Sequence, residues 1–252
     1  MVVYRYPLGE LMQEKLHMRL HPGTDPKPFK TTISGFNDHN AILESTYFYP
    51  RGGGQPGDTG YLISDDKKSL IGEVLPGESI LHPLETPEIF EIGEEVSCMI
   101  DSERRNVHAQ MHTAQHIVSA IAEDIWGAET VSNQLTMDYS RVDLFFEDKS
   151  LFEPEDLVSE VNNILQKHIP VNIHEWPREE IISHDQMRHT KFMDRISKSI
   201  QQLRVVEVEG VDLCPCAGTH VDNTANIPKI KFRSKKNKGK GRIRFSYQFE
   251  NR

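Results

Sequence analysis

Two short motifs constrain this chain most: His112-Thr113-Ala114-Gln115-His116 and Cys216-Ala217-Gly218-Thr219-His220. Residues i and i+4 of a helix lie on one face, a few ångströms apart. Two imidazoles at that spacing can hold one metal ion, and a thiolate and an imidazole across a glycine-containing turn can reach the same ion. The fold must therefore bring together segments separated by Ile117 to Pro215. Zinc suits the mixed His/His/Cys/His set, because it accepts thiolate and imidazole ligands in tetrahedral geometry. Cys214 is a weaker alternative to Cys216, since Cys216 has the histidine four residues on. His108, one turn before His112, is read as a spare ligand or an ordinary helix residue.

Other metal motifs fail on detail. A zincin helix needs Glu after its first His, where this chain has Thr113. Cys214-Pro215-Cys216 is too tight for a zinc-finger hairpin. A cytidine-deaminase site needs His-x-Glu and Pro-Cys-x-x-Cys, and neither the Glu nor the second Cys is present.

The surroundings of the motifs suggest two regions. Residues 1–100 alternate short β-like runs (Leu16 to Leu20, Thr31 to Phe36, Ala41 to Phe48, Gly60 to Ile63, Val96 to Ile100) with Pro and Gly turns, which predicts a small N-terminal β-barrel. Residues 101–252 mix helices and strands without regular βαβ repeats. Ser102 reads as the N-cap of a helix running to about Trp126, with Met111, Ala114, Ile117, Val118, Ile121 and Ile125 inward and Gly127 as its stop. Strands are expected over Thr130 to Thr136, Arg141 to Phe146, Val171 to Trp176 and Leu203 to Val208, and helices over Pro154 to Lys167 and Glu179 to about His189. The expected class is α+β: a small barrel followed by a two-layer α/β zinc-containing domain.

Of the 252 residues, 37% are hydrophobic and 27% charged, as in a soluble globular protein. No apolar run approaches the ~18 residues of a membrane span, and the N-terminus has no secretory-signal pattern. Three cysteines make no disulfide framework, so a reducing, cytoplasmic setting is expected. The net charge of -9 argues against a protein that coats nucleic acid everywhere. Yet Lys229, Lys231, Arg233, Lys235, Lys236, Lys238, Lys240, Arg242 and Arg244 form a basic run without an acidic residue, read as a loop between Ile227 to Phe232 and Ile243 to Phe249. Such a patch can hold phosphates on an otherwise acidic protein.

Together the two motifs resemble the HxxxH and CxxxH signature shared by alanyl-tRNA synthetase editing domains and the free-standing AlaX proteins. Phe48-Tyr49-Pro50-Arg51-Gly52-Gly53-Gly54-Gln55-Pro56-Gly57-Asp58-Thr59-Gly60 resembles that family's glycine motif, and Lys238-Gly239-Lys240-Gly241-Arg242-Ile243-Arg244 its C-terminal Gly/Lys motif. Glu129-Thr130-Val131-Ser132 and Val205 to Asp212 resemble flanking strands. The glycine motif points to the medium-length AlaX class. Ala217 departs from the usual CGGTH, which would strain the backbone by roughly 1 kcal/mol if that position needs positive φ.

The resemblance implies a zinc-dependent hydrolase acting in trans on alanine tRNA mischarged with serine or glycine, with no ATP and no aminoacylation domain. It implies His112, His116, Cys216 and His220 as zinc ligands. Thr113, Ser132, Asn133, Gln134 and Thr219 become pocket candidates, with Thr113 and Gln134 assigned to catalysis. Gly52, Gly53, Gly54 and Gln55 are expected at the substrate, and Lys235, Lys236, Lys238, Lys240 and Arg242 at the tRNA. The alternatives are a non-catalytic tRNA-binding module with structural zinc, or an editor of another mischarged tRNA.

Overall fold

A computed structural model describes residues 13–18, 26–188 and 196–251. The chain divides into two compact units, Met1–Asn106 and Val107–Arg252.

The first unit contains β1 (Glu14–Lys15), β2 (Phe29–Asn37), β3 (Asn40–Leu43), β4 (Ser45–Thr46), β5 (Gly60–Ser64), β6 (Lys67–Ile71), β7 (His82–Pro83) and β8 (Glu95–Ile100). Six of them form one sheet in the order β6-β5-β8-β2-β3-β7. Among the described residues its two edges approach at the isolated bridge between Ile71, the last residue of β6, and Leu84, just after β7, flanked by Gly72 N–H to Pro83 O (2.8 Å) and Glu85 N–H to Leu70 O (3.1 Å). The sheet thus curls around Ile33, Leu43, Phe48, Leu62, Ile71 and Val96, all buried, without forming the closed strand ladder of a barrel. The expected strand at Leu16 to Leu20 is instead a 3₁₀ turn over Leu16–Met18, and Arg19 and Leu20 lie outside the described residues.

Within the glycine motif, Gly52 and Gln55 exchange both backbone hydrogen bonds (3.0 and 2.8 Å), with Gly53 and Gly54 at φ 56° and 86°. Two consecutive positive φ values define a type I′ turn, which L-residues with side chains resist. Gly60 serves a different need: a Cβ there would stand 2.0 Å from Met99 O on the paired strand β8. Asp58 is buried, accepts from Tyr49 N–H and pairs with buried Arg105, whose guanidinium also donates to Tyr47 O. The charged pair is fully enclosed by its own hydrogen bonds, the condition under which burial is tolerated.

The second unit begins within α1 (Ser102–Trp126). Asp101, not Ser102, caps this helix: its carboxylate accepts from Arg104 N–H (3.0 Å). Gly127 ends it at φ 61°. From Met111 to Ala120 every residue is buried, so the helix is enclosed on all sides rather than along one stripe. The predicted inward position of Ile125 is not observed, as that side chain is 51% exposed in the last turn.

There follow β9 (Glu129–Leu135), β10 (Ser140–Phe145), α2 (Pro154–Leu165), β11 (Val171–Pro177), α3 (Arg178–Ser183), β12 (Gln202–Val208), β13 (Asp212–Pro215), β14 (Ile230–Gly239) and β15 (Arg242–Phe249). His189, the expected end of the helix near Glu179, lies outside the described residues. An antiparallel sheet β14-β15-β10-β9 and a smaller sheet β11-β12-β13 share a core with α1 and α2. Tyr247, wholly buried, donates its hydroxyl to Met111 O (3.0 Å) and joins β15 to the middle of α1. Strand β12 is buried on both faces: Val206 and Val208 join the main core, Leu203 and Val205 a satellite cluster with Ile181 and Leu213. Each fully buried side chain of this size contributes roughly 1.5–3 kcal/mol.

The basic run is not a loop. Apart from Lys229, which precedes β14, and Lys240, in the connecting turn, its residues lie within β14 and β15, whose antiparallel register runs from Ile230↔Phe249 to Gly239↔Arg242. Alternation explains this: Phe232 packs inward while the lysines project outward, and the hairpin satisfies the backbone that the charges leave exposed.

Candidate metal centre

Helix α1 presents His112 and His116 one turn apart, and the segment leaving β13 presents Cys216 and His220. One donor atom from each of the four lies within 4.8 Å of every other. Cys216 Sγ is 3.6 Å from His112 Nε2 and 3.3 Å from His220 Nε2. Tetrahedral bonds of roughly 2.3 Å to sulfur and 2.0–2.1 Å to nitrogen place neighbouring ligands about 3.5 Å apart. The observed separations match that edge, so the donor set fits a single small soft-to-borderline cation.

His112 and His220 turn Nε2 toward Cys216, and the contacts behind the rings bear on which nitrogen is free to ligate. Thr113 Oγ1 donates to Ala109 O (3.0 Å), so its lone pairs accept from Val221 N–H (3.1 Å) and His220 Nδ1–H (3.2 Å). A protonated Nδ1 leaves His220 Nε2 as the ligating nitrogen. On His116, Nδ1 stands 2.8 Å from Asp212 Oδ2 and 3.4 Å from Cys214 Sγ. The carboxylate can only accept there, so His116 also carries its proton on Nδ1.

The electrostatics suit a thiolate. Burial opposes ionisation of Cys216, but His112 and His220 beside it bring its pKa well below the ordinary thiol value. Gly218 N–H also points at its sulfur (3.4 Å). Burial, reinforced by His112, drives His220 well below the usual imidazole range. Burial pushes the Cys214 thiol up to about 12. Cys214 and Cys216 thus have opposite characters although only Pro215 separates them.

The structure brings His112, His116, Cys216 and His220 together, with Thr113 directly behind His220. It does not bring Gln134 to them. Past an irregularity in the β9–β10 register, Asn133 points toward α1 and donates to Gln115 Oε1 (3.2 Å), while Gln134 is exposed on the opposite face of β9. Ser132 is exposed and donates to Asp143 (3.1 Å). Thr219 is buried beside His220. Ala217 is not among the non-glycine residues with positive φ, which are Asp38, Asp65, His168 and Lys240 among those described, so the alanine carries no left-handed strain. Sequence reasoning missed Asp212 and Gln115. Asp212 was detectable as the first member of an alternating Asp212, Cys214, Cys216 row, since residues i, i+2 and i+4 of a strand share a face.

Lys236, Lys238, Lys240 and Arg242 are exposed on the β14–β15 hairpin, whereas Lys235 donates its ammonium to Phe152 O (3.0 Å). Gly52, Gly53, Gly54 and Gln55 belong to the first unit, where Gln55 is buried and Gly53 and Gly54 are exposed.

Residues 203–246, which include Cys216 and His220, match the threonyl and alanyl tRNA synthetase second additional domain. Residues 15–104 match the class II (A) tRNA synthetase family. The chain is 33% identical over 236 residues to the alanyl-tRNA editing protein AlaX-M of Methanosarcina barkeri, covering 88% of this chain and 93% of that protein. The chain belongs to the AlaX family. An AlaX-M of Saccharolobus solfataricus is 34% identical over 224 residues, again covering 93% of that relative. The AlaX-L of Pyrococcus horikoshii is 34% identical over 212 residues but is matched over 50% of its length. Among the described residues, no AlaX helix here is long and apolar enough to cross a membrane.

Proposed function

We propose that this chain is a trans-acting editing hydrolase that cleaves the ester joining serine, or glycine, to alanine tRNA, and that its metal is zinc. The reading is carried by one observation: four donors of zinc-type chemistry converge within 4.8 Å of one another, with Cys216 at 3.6 and 3.3 Å from His112 and His220, in a chain of the alanyl-tRNA editing family. His112, His116, Cys216 and His220 would hold the ion. Bound zinc supplies Lewis acidity to ester hydrolysis.

The chain's own residues supply the rest. Thr113 acts through His220, fixing its tautomer, and does not itself meet the ester. Cys216, held as thiolate, keeps the set anionic. Buried polar groups demand a substrate hydroxyl far more strictly than an apolar pocket rejects a methylene, which favours serine over alanine as the residue removed. Ser132 and Gln134, both exposed, are assigned to outer contacts with the aminoacylated end rather than to the bond-breaking step. The curled sheet of the first unit serves as a barrel-like platform for the Gly52-Gly53-Gly54-Gln55 turn, the candidate contact to the amino acid or the tRNA end. The hairpin cations Lys236, Lys238, Lys240 and Arg242 neutralise tRNA phosphates, with Lys235 bracing the hairpin. The reaction takes place in the cytoplasm and needs no ATP.

The test is deacylation of serine-, glycine- and alanine-charged alanine tRNA by purified protein, with and without a chelator. Chelator-sensitive loss of serine with alanine retained is the expected result. A folded, zinc-loaded chain that cleaves none of the three overturns the reading.

A further inference from the structure

The row Asp212, Cys214, Cys216 passes along one side of His116. Only Cys216 belongs to the four-donor set, yet His116, Asp212 and Cys214 form a second converging group, all three buried. It invites a choice between a second metal site and a support for the first.

Distance decides between them. An oxygen and a nitrogen bound to one tetrahedral ion at roughly 2.0–2.1 Å each stand about 3.3 Å apart. His116 Nδ1 and Asp212 Oδ2 are 2.8 Å apart, the length of a charge-assisted hydrogen bond. The set around Cys216 shows 3.3 and 3.6 Å instead. The two groups therefore have different chemistry although they share His116.

We propose that Asp212 is the positioning residue of His116: its carboxylate accepts the Nδ1 proton, locks the ring and turns Nε2 toward the metal. The assignment rests on the zinc reading above. The fold is built to place this carboxylate. β12 and β13 are joined by a tight turn in which Val211 N–H bonds to Val208 O (2.8 Å) and Gly210 adopts φ 69°, and Asp212 stands opposite Val208 in the ladder. His116 in turn is fixed in the enclosed middle of α1. Neither partner can relax away without disturbing the core. A carboxylate behind a ligating imidazole also raises the ring's basicity, and loss of such a partner weakens metal binding by about 10–100-fold. Thr113 gives His220 a neutral version of the same support, so the two histidines are locked by different chemistry.

The experiment compares the full chain with Asp212→Asn and Cys214→Ala. Zinc affinity is measured by chelator competition, stoichiometry by metal analysis, and ligand geometry by the visible spectrum of cobalt-loaded protein. The expected results are one zinc per chain, a roughly 10–100-fold weaker affinity in Asp212→Asn with a shifted cobalt spectrum, and an unchanged affinity in Cys214→Ala. Equal affinity and spectra in the chain and Asp212→Asn overturn the assignment. So does a second zinc that Cys214→Ala removes. Should Asp212→Asn fail to fold, nitrogen-15 NMR of zinc-loaded wild-type protein decides: a proton on His116 Nδ1 supports the assignment, and zinc on that nitrogen overturns it. A wild-type chain that binds no zinc overturns the metal reading itself, an outcome distinct from equal binding by both chains.

Discussion

Thr113 Oγ1 and His220 Nδ1 lie 3.2 Å apart, and the threonine's own proton is committed to Ala109 O. The hydroxyl is thus an acceptor toward the ring, placed by the first motif on a residue of the second. Thr113→Val keeps the shape and removes the acceptor, leaving Val221 N–H and His220 Nδ1–H unsatisfied in a buried site. Such loss costs roughly 1–3 kcal/mol. Zinc affinity should fall about tenfold or more, and Thr113→Ser should restore most of it. Equal zinc affinity in Thr113→Val and wild type would remove Thr113 from the support of the site.

The basic hairpin predicts a separable defect. Lys238 and Lys240 are exposed on the β14–β15 hairpin, Lys240 in its turn at φ 45°. Changing both to Glu should weaken tRNA binding and reduce its salt dependence by about one to two units of log-log slope, while zinc content stays unchanged. Affinity is read across a salt series by filter binding. A slope equal to that of the unaltered chain would place the tRNA elsewhere.

Legibility in the sequence followed the range of the forces involved. The four donors were readable because ligand chemistry and i+4 spacing survive without tertiary knowledge. The end of α1 was readable because Gly127 alone fits its left-handed stop. Its start was misread by one residue because Asp101 and Ser102 can both cap, and only the carboxylate's contact with Arg104 N–H decides. The lysines of β14 read as a loop because their charge masked a strand whose partner, β15, lies beyond the turn. β6 and β13 gave little signal, being short and, in β6, partly charged. Alternation alone puts Asp212 on the face of Cys214 and Cys216, but its pairing with His116 has no local signature, because that contact comes from the β12–β13 register and from a helix a hundred residues away.

Gly60 and Gly35 should respond oppositely to alanine. At Gly60 the new Cβ would meet Met99 O at 2.0 Å, backbone that cannot swing aside, whereas at Gly35 nothing lies within 4 Å. Gly60→Ala is expected to destabilise the first unit by roughly 2–3 kcal/mol, and Gly35→Ala to stay within about 0.5 kcal/mol. Urea unfolding of both variants checks this. Equal midpoints would mean that β5 and β8 are not packed this tightly.

His82 predicts how the first unit responds to acid. It is wholly buried, with Nδ1–H donated to Ala41 O (3.0 Å) and Nε2 accepting from the Thr46 hydroxyl (2.9 Å), which itself accepts from Phe48 N–H. Burial lowers its pKa to about 4 from the ordinary 6.5, outweighing the Ala41 hydrogen bond. The folded ring therefore stays neutral where the unfolded one takes up a proton. Between pH 6.5 and 4 the unfolded state binds more protons, so stability falls as pH falls, by roughly 3 kcal/mol in total, and is level above pH 7. His82→Gln keeps a donor and an acceptor without the titration. Amide exchange in β2 and β3, followed from pH 7 to 4.5, should accelerate less in the variant than in the unaltered chain, beyond the intrinsic pH dependence of exchange. Identical pH profiles would show that His82 charges freely in the folded state, and the enclosed Thr46–His82–Ala41 chain would then have to open in mild acid.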